Sequence, residues 1–140
     1  MHRLCIDSDV LLDVFAKREP FYEDSALVLS LAEEKSVEAF ITPIVVANVI
    51  YILRKLRSKD IAIASIRKLR TIIKILPVTS DHVDKALSSK FRDFEDALQY
   101  FAALDGRIGF IITRNTADYK PSKISVCTPA EFLEIYHSQK

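Results

Sequence analysis

Five short apolar runs, each separated from the next by helix-like sequence, constrain this chain more than any other feature. They are Arg3–Ile6, Val37–Ile41, Ile75–Val78, Gly109–Ile112 and Ile124–Cys127. All are rich in β-branched residues and continuous rather than alternating, the pattern of parallel strands buried on both faces. Helical patterns fill the gaps. Pro20 can open a helix through Glu34, and Pro43 suits the first turn of another that runs to about Arg57. Asp60 can cap a third through about Ile73, and Asp81 begins a shorter one to about Lys90. Phe94, Ala97, Leu98 and Phe101 repeat at i, i+3, i+4, i+7, and Thr128-Pro129-Ala130-Glu131 reads as a capping box with Pro at N1. Strands alternating with helices predict right-handed βαβ units in an α/β fold: a three-layer α/β/α sandwich around a central, mainly parallel sheet. At 140 residues the chain is expected to form one domain, residues 1–140.

Composition removes several function classes. With 49% apolar and 28% charged residues the chain is not a disordered segment, and two glycines exclude a glycine-rich fibrous protein. Lys and Arg number 20 against 19 Asp and Glu, so net charge dictates no partner. Cys5 and Cys127 lie in apolar runs without metal-type spacing to a histidine, as expected of reduced core residues in a cytoplasmic protein. The N-terminus reaches Asp7 and Asp9 too soon for a signal peptide. The greasiest stretch, Phe40 to Leu53, contains Thr42, Pro43 and Asn48 and is too short to span a bilayer, so no membrane association is expected.

In open parallel sheets ligands bind beyond the carboxyl ends of the strands, and this makes the acids informative. Asp7 directly follows the first strand and Asp9 lies two residues on; Asp93 and Asp96 open the Phe94 helix; Asp118 follows Thr113-Arg114-Asn115 after the fourth strand. Carboxylates that converge repel one another and persist as a cluster with cations between them. Oxygen-only donors favour Mg²⁺ or Mn²⁺ over zinc, and such ions serve phosphodiester hydrolysis. Plainer roles stay open. Asp93 suits an N-cap, Asp9 can cap a helix over Val10–Ala16, and Asp118 fits a turn before Tyr119-Lys120-Pro121. Asp7 has the weakest plain role, because a carboxylate at the end of a buried strand is costly without a partner.

Four segments, in order, resemble the PIN-domain family (PilT N-terminal-like), and within it the small VapC-like toxin ribonucleases. They are Leu4-Cys5-Ile6-Asp7-Ser8-Asp9-Val10-Leu11-Leu12-Asp13, Asp93-Phe94-Glu95-Asp96-Ala97-Leu98-Gln99, Ile111-Ile112-Thr113-Arg114-Asn115-Thr116-Ala117-Asp118-Tyr119 and Thr128-Pro129-Ala130-Glu131-Phe132-Leu133. The resemblance implies a metal-dependent endoribonuclease, a toxin with a small antitoxin protein as partner, and a homodimer. It implies that Asp7, Asp96 and Asp118 are catalytic and hold Mg²⁺ or Mn²⁺, with Asn48, Asn115, Asp93 and Asp9 assisting. Thr113 and Arg114 would meet the RNA. Two positions depart from the family pattern: Asn48 stands where a Glu is usual, and Asn115 where Asp is common. Each keeps an oxygen donor and loses a charge, which predicts weaker metal binding.

Charge is unevenly placed. Arg54, Lys55, Arg57, Lys59, Arg67, Lys68, Arg70 and Lys74 face only Asp60 in their stretch, a pattern suited to an RNA backbone or to a solvated helix face. Apolar residues in Leu27–Leu31 and Val45–Leu53 exceed what one sheet face needs, as a partner helix or second copy would require. Two other readings compete. Ile6-Asp7-Ser8-Asp9-Val10-Leu11 is also similar to the opening of haloacid-dehalogenase phosphatases, with Asp7 as nucleophile and Thr42 as a phosphate-binding hydroxyl. The Asn48 departure also fits a catalytically weakened, PIN-like RNA-binding module.

Overall fold

A computed structural model describes residues 1–139. The elements in order are β1 (Arg3–Ile6), α1 (Ser8–Phe15), α2 (Tyr22–Glu33), β2 (Glu38–Ile41), α3 (Pro43–Leu56), α4 (Lys59–Leu69), β3 (Lys74–Ile75), α5 (Ser80–Leu87), α6 (Phe94–Asp105), β4 (Phe110–Ile112) and β5 (Ser125–Cys127), closed by α7 (Pro129–Ser138); a 3₁₀ turn, Thr116–Tyr119, lies between β4 and β5. The strands form one sheet in the order β3-β2-β1-β4-β5, and all four pairings are parallel.

The pleat of β1 explains the layering, since successive side chains of a strand point to opposite faces. Leu4 and Ile6 enter a core shared with α1–α4 and α7, through Val10, Val28, Val45, Ile66 and Phe132. Cys5 points the other way, into a second core with Phe40, Ile111, Tyr100 and Ala103 beneath α6. Ala86 of α5 joins Ala97 and Leu98 of α6 in a third, smaller cluster. The α/β/α sandwich expected from the alternation is therefore present, with a wholly parallel sheet. Among the described residues no helix is long and apolar enough to cross a membrane.

Several local expectations need correction. Ser58, not Asp60, caps α4: its hydroxyl accepts from Ile61 N at 3.2 Å, and the helix stops at Leu69, short of Ile73. Asp7, not Asp9, caps α1, which leaves Asp9 in the first turn. Pro20 precedes α2 instead of opening it, and α5 runs only from Ser80 to Leu87. The third strand is displaced to Lys74–Ile75; Leu76 N still donates to Ile41 O at 2.8 Å, but Pro77 has no N–H with which to continue the ladder.

The central placement of β1 positions the site. Ile6 pairs with Ile112, so the chain leaves β1 and β4 side by side. Asp7 N donates to Ile112 O at 2.9 Å, and Thr113 N to Cys127 O at 3.0 Å.

Candidate active site

Asp7 is the hub. One carboxylate oxygen, Oδ1, accepts from Ser8 N at 2.8 Å and from Gln99 Nε2 at 3.0 Å. The other, Oδ2, accepts from the Thr113 hydroxyl at 3.0 Å and lies 3.4 Å from the Tyr119 hydroxyl. A helix N-cap, a facing helix and the loop after β4 thus converge on one carboxylate. The same Tyr119 hydroxyl reaches Asp96 Oδ1 at 3.2 Å and accepts from Gln99 Nε2 at 3.2 Å. Asp96 and Gln99 sit one turn apart on α6, which turns both toward the sheet edge.

Asp9 belongs to the same cluster. Its Oδ2 accepts from Thr113 Oγ1 at 3.3 Å, Arg114 N at 3.1 Å and Asn115 Nδ2 at 3.1 Å. Its Oδ1 is buried without a hydrogen-bond partner among the described residues. Thr113 bridges Asp7 and Asp9 and also accepts from Asn115 N at 3.1 Å.

The electrostatics match this crowding. Burial, then the Asp7 charge, push the Asp9 carboxyl up to about 6 against the opposing pull of Arg114. Burial, then Asp7 and Asp93, push Asp96 up to about 7, and Asp118 adds to this. Burial and the neighbouring Asp7 and Asp96 also raise the Tyr119 phenol, so it stays a neutral donor.

The remaining candidates lie around this centre in different ways. Asp118, in the 3₁₀ turn, is exposed and acts on Asp96 through its charge. Asp93 caps α6, its Oδ1 accepting from Asp96 N at 3.0 Å, and so fixes the first turn that carries Asp96. Asn48 Nδ2 donates to Glu95 Oε1 at 2.9 Å. Arg114 turns its guanidinium away from the cluster to the fully buried Asp13, with Nε to Oδ2 at 2.7 Å and Nη2 to Oδ1 at 3.1 Å, and rests 4.1 Å from the Phe21 ring centre. Thr42 is fully buried; its hydroxyl accepts from Val45 N and faces Gln99 Oε1 at 3.4 Å, which leaves no free hydroxyl for a phosphate.

A model of the PIN domain matches residues 3–117, more than four-fifths of the chain. The chain belongs to the PIN-domain family. Ribonuclease VapC1 of Aquifex aeolicus (strain VF5) is 26% identical over 141 residues, an alignment that spans 97% of this PIN domain and 96% of the relative. A toxin–antitoxin complex from Klebsiella pneumoniae superposes with a TM-score of 0.69 at 21% identity, covering 90% of this chain and 97% of that one. FitAcB from Neisseria gonorrhoeae gives 0.67 at 16% identity, covering 91% and 98%.

Four residues of this PIN domain escaped the sequence reading as site residues: Gln99, Tyr119, Glu95 and Asp13. Gln99 carried a signal, since an amide three positions after Asp96 must share its helix face. Tyr119 carried another, as the aromatic beside Asp118. Nothing local pairs Glu95 with Asn48 or Asp13 with Arg114.

Proposed function

We propose that this chain is a Mg²⁺- or Mn²⁺-dependent endoribonuclease and the toxin of a toxin–antitoxin pair. One observation carries the reading. Asp7, directly after the first strand, and Asp96 from the sixth helix meet on a single hydroxyl, that of Tyr119, with Asp9 beside them on Thr113.

The donor set fits a hard divalent ion. It is all oxygen, it includes the Oδ1 of Asp9 that has no partner among the described residues, and the carboxyls of Asp9 and Asp96 are pushed up by burial and then by the Asp7 charge. Among the described residues no three Asp, Glu, His or Cys side chains are grouped so that they could hold a metal ion. Asp7 and Asp96 with solvent would suffice, since Mg²⁺ is commonly held by one or two carboxylates and keeps several waters. Such an ion, when bound, neutralises phosphate charge and lowers the pKa of water.

The protein's own groups then have separable tasks. Asp7 and Asp96 would hold the ion, with Asp9 and Asp118 adding negative charge. Thr113 and Tyr119 fix the carboxylate orientations, and Gln99 locks Asp7 to Tyr119. Asn115 and the Arg114 N–H keep Asp9 turned inward. Glu95 sets a carboxylate against Asn48, the side chain at the position where the family pattern has Glu, which favours an active enzyme over a weakened binding module.

The relative named as a ribonuclease and the fold neighbour described as a toxin–antitoxin complex support the assignment. Leu27, Tyr51, Leu56 and Ile61 on α2–α4 are about half exposed and offer an apolar surface for an antitoxin or a second copy. The basic stretch starts at Arg54 near the end of α3, about 16 Å along the helix from Pro43. It would touch flanking RNA, not the scissile phosphate.

The test is incubation of single-stranded and structured RNA with Mn²⁺, with Mg²⁺ or with EDTA. Cleavage requires a metal, and Asp7→Asn and Asp96→Asn each lose at least ~100-fold in rate. Cleavage that survives both EDTA and these substitutions would overturn the assignment. A trapped phosphate on Asp7 would point instead to phosphatase chemistry.

A further inference from the structure

A second feature adjoins the acidic cluster. Between the starts of α2 and α7 lies a cavity of about 380 Å³ lined by Pro20, Phe21, Asp24, Ser25, Arg114 and the first turn of α7. That is within the usual range for a small-molecule site. Arg114 joins the two places: its backbone N–H holds Asp9, while its side chain walls the cavity. A strand whose phosphate rests on the acidic cluster therefore has a neighbouring residue at the cavity mouth.

The lining has the chemistry of base recognition. Phe21 is 40% exposed although it begins a helix that buries its apolar face, and a guanidinium lies 4.1 Å from its ring centre. Exposed aromatics beside arginine are platforms on which unpaired bases stack. Ser25 lines the cavity, is fully buried, and its hydroxyl has no partner among the described residues. A buried hydroxyl without a protein partner is uncommon in a folded protein, and this one stands in the cavity wall. Asp24 adds a carboxylate, which accepts hydrogen bonds only. Arg114 uses Nε and Nη2 on Asp13; its Nη1 makes no hydrogen bond among the described residues and remains for the ligand's phosphate.

We infer that this cavity is a subsite for one unpaired nucleobase carrying an amino group, the nucleotide next to the scissile phosphate. The inference rests on the ribonuclease reading for its place in the reaction. The Asp24 carboxylate favours an amino-bearing base (guanine, adenine or cytosine) over uracil, whose exocyclic groups are both carbonyls and whose one base donor is the ring N3–H. Phe21 supplies stacking that does not depend on base identity.

Titration of the isotope-labelled protein with GMP and with UMP, followed through backbone amide shifts, tests this without any cleavage. GMP moves the amides of Phe21, Ser25, Arg114 and Ala130 with a Kd of roughly millimolar order. UMP binds about tenfold more weakly, because it gives the Asp24 carboxylate no amino donor. Phe21→Ala weakens GMP by roughly 5- to 100-fold, the range for a lost base–aromatic stack. Asp24→Asn, a near-isosteric change at a half-buried surface position, brings GMP and UMP to similar affinity. If GMP leaves these amides unmoved, or binds Phe21→Ala as well as the parent, the subsite does not exist, whether or not the chain cuts RNA. If GMP binds as described while RNA stays intact with either metal, the subsite stands and the ribonuclease reading falls.

Discussion

Replacing Arg114 by methionine would strand the Asp13 carboxylate in the interior. Asp13 has no exposed surface, and its side-chain acceptors are met by two charge-assisted bonds from one guanidinium, at 2.7 and 3.1 Å. Methionine keeps most of the side-chain volume and removes both donors. Breaking one half of a buried ion pair costs about 3–5 kcal/mol, chiefly because the remaining charge is neither solvated nor paired. The stacking on Phe21 is lost as well, worth about 0.5–1 kcal/mol at a partly exposed ring. For a domain of this size the sum lowers Tm by roughly 10–20 °C, read by calorimetry or by urea unfolding followed by circular dichroism. The double variant Asp13→Leu/Arg114→Met removes both charges and is expected to regain most of the loss, since apolar replacements of buried pairs are often neutral. A single variant that loses less than ~1 kcal/mol, or a double variant no better than the single, would refute the claim that this pair is a coupled buried unit.

Other outcomes follow from the same geometry. The folded carboxyls of Asp96 and Asp9 lie at about 7 and about 6, above an ordinary unfolded value, because burial and Asp7 disfavour their charge. The native state therefore holds protons that the unfolded chain releases, and metal-free stability falls as pH rises from about 4 through 7. Solvent screening of these half-buried groups leaves a change of about 1–2 kcal/mol, measurable by urea unfolding in EDTA at pH 5 and pH 8; Mn²⁺ restores stability more at pH 8, and Asp96→Asn flattens the profile. Glu95→Gln weakens Mn²⁺ activation by roughly 10- to 100-fold in a metal titration of RNA cleavage, with little change in Tm because the Asn48 contact is exposed. His82→Ala costs about 2–3 kcal/mol in urea unfolding: this buried imidazole accepts from Thr79 N at 3.0 Å and pairs with Asp105 at 2.5 Å, so one change removes a cap and a helix–helix link. Gly106→Ala lowers Tm although its backbone is ordinary, because a Cβ there would meet Leu76 Cδ2 at 2.6 Å.

Much of the site could be read along the chain because of where the acids fall. A carboxylate fused to a buried strand, as at Asp7, has few structural uses, and parallel sheets gather their functional groups at the strands' carboxyl ends. Asp96 was legible through the helical period. The partners of these acids were not. Tyr119 reaches both Asp7 and Asp96 only because β4 lies against β1, and that pairing joins segments far apart in sequence. The anchoring of Arg114 was hidden for the same reason: Asp13 on α1, 101 residues away in the chain, holds its guanidinium through Nε and Nη2. Element ends shifted where local capping choices competed, as at Ser58 and Asp60, or where an edge strand met proline, as at Pro77.

The alternation of strands and helices, the mainly parallel character of the sheet and the edge at which chemistry would gather were set by the linear pattern of apolar runs, caps and strand-terminal acids, because continuous apolar runs, the 3.6-residue helical period and capping residues are each contained in a local window. Which carboxylates share a hydroxyl, which acid immobilises Arg114, and that Glu95 stands beside Asn48 were decided by the packing of β4 against β1 and of α6 beneath the sheet. Those contacts depend on distances between chain-remote residues, and no local window encodes them.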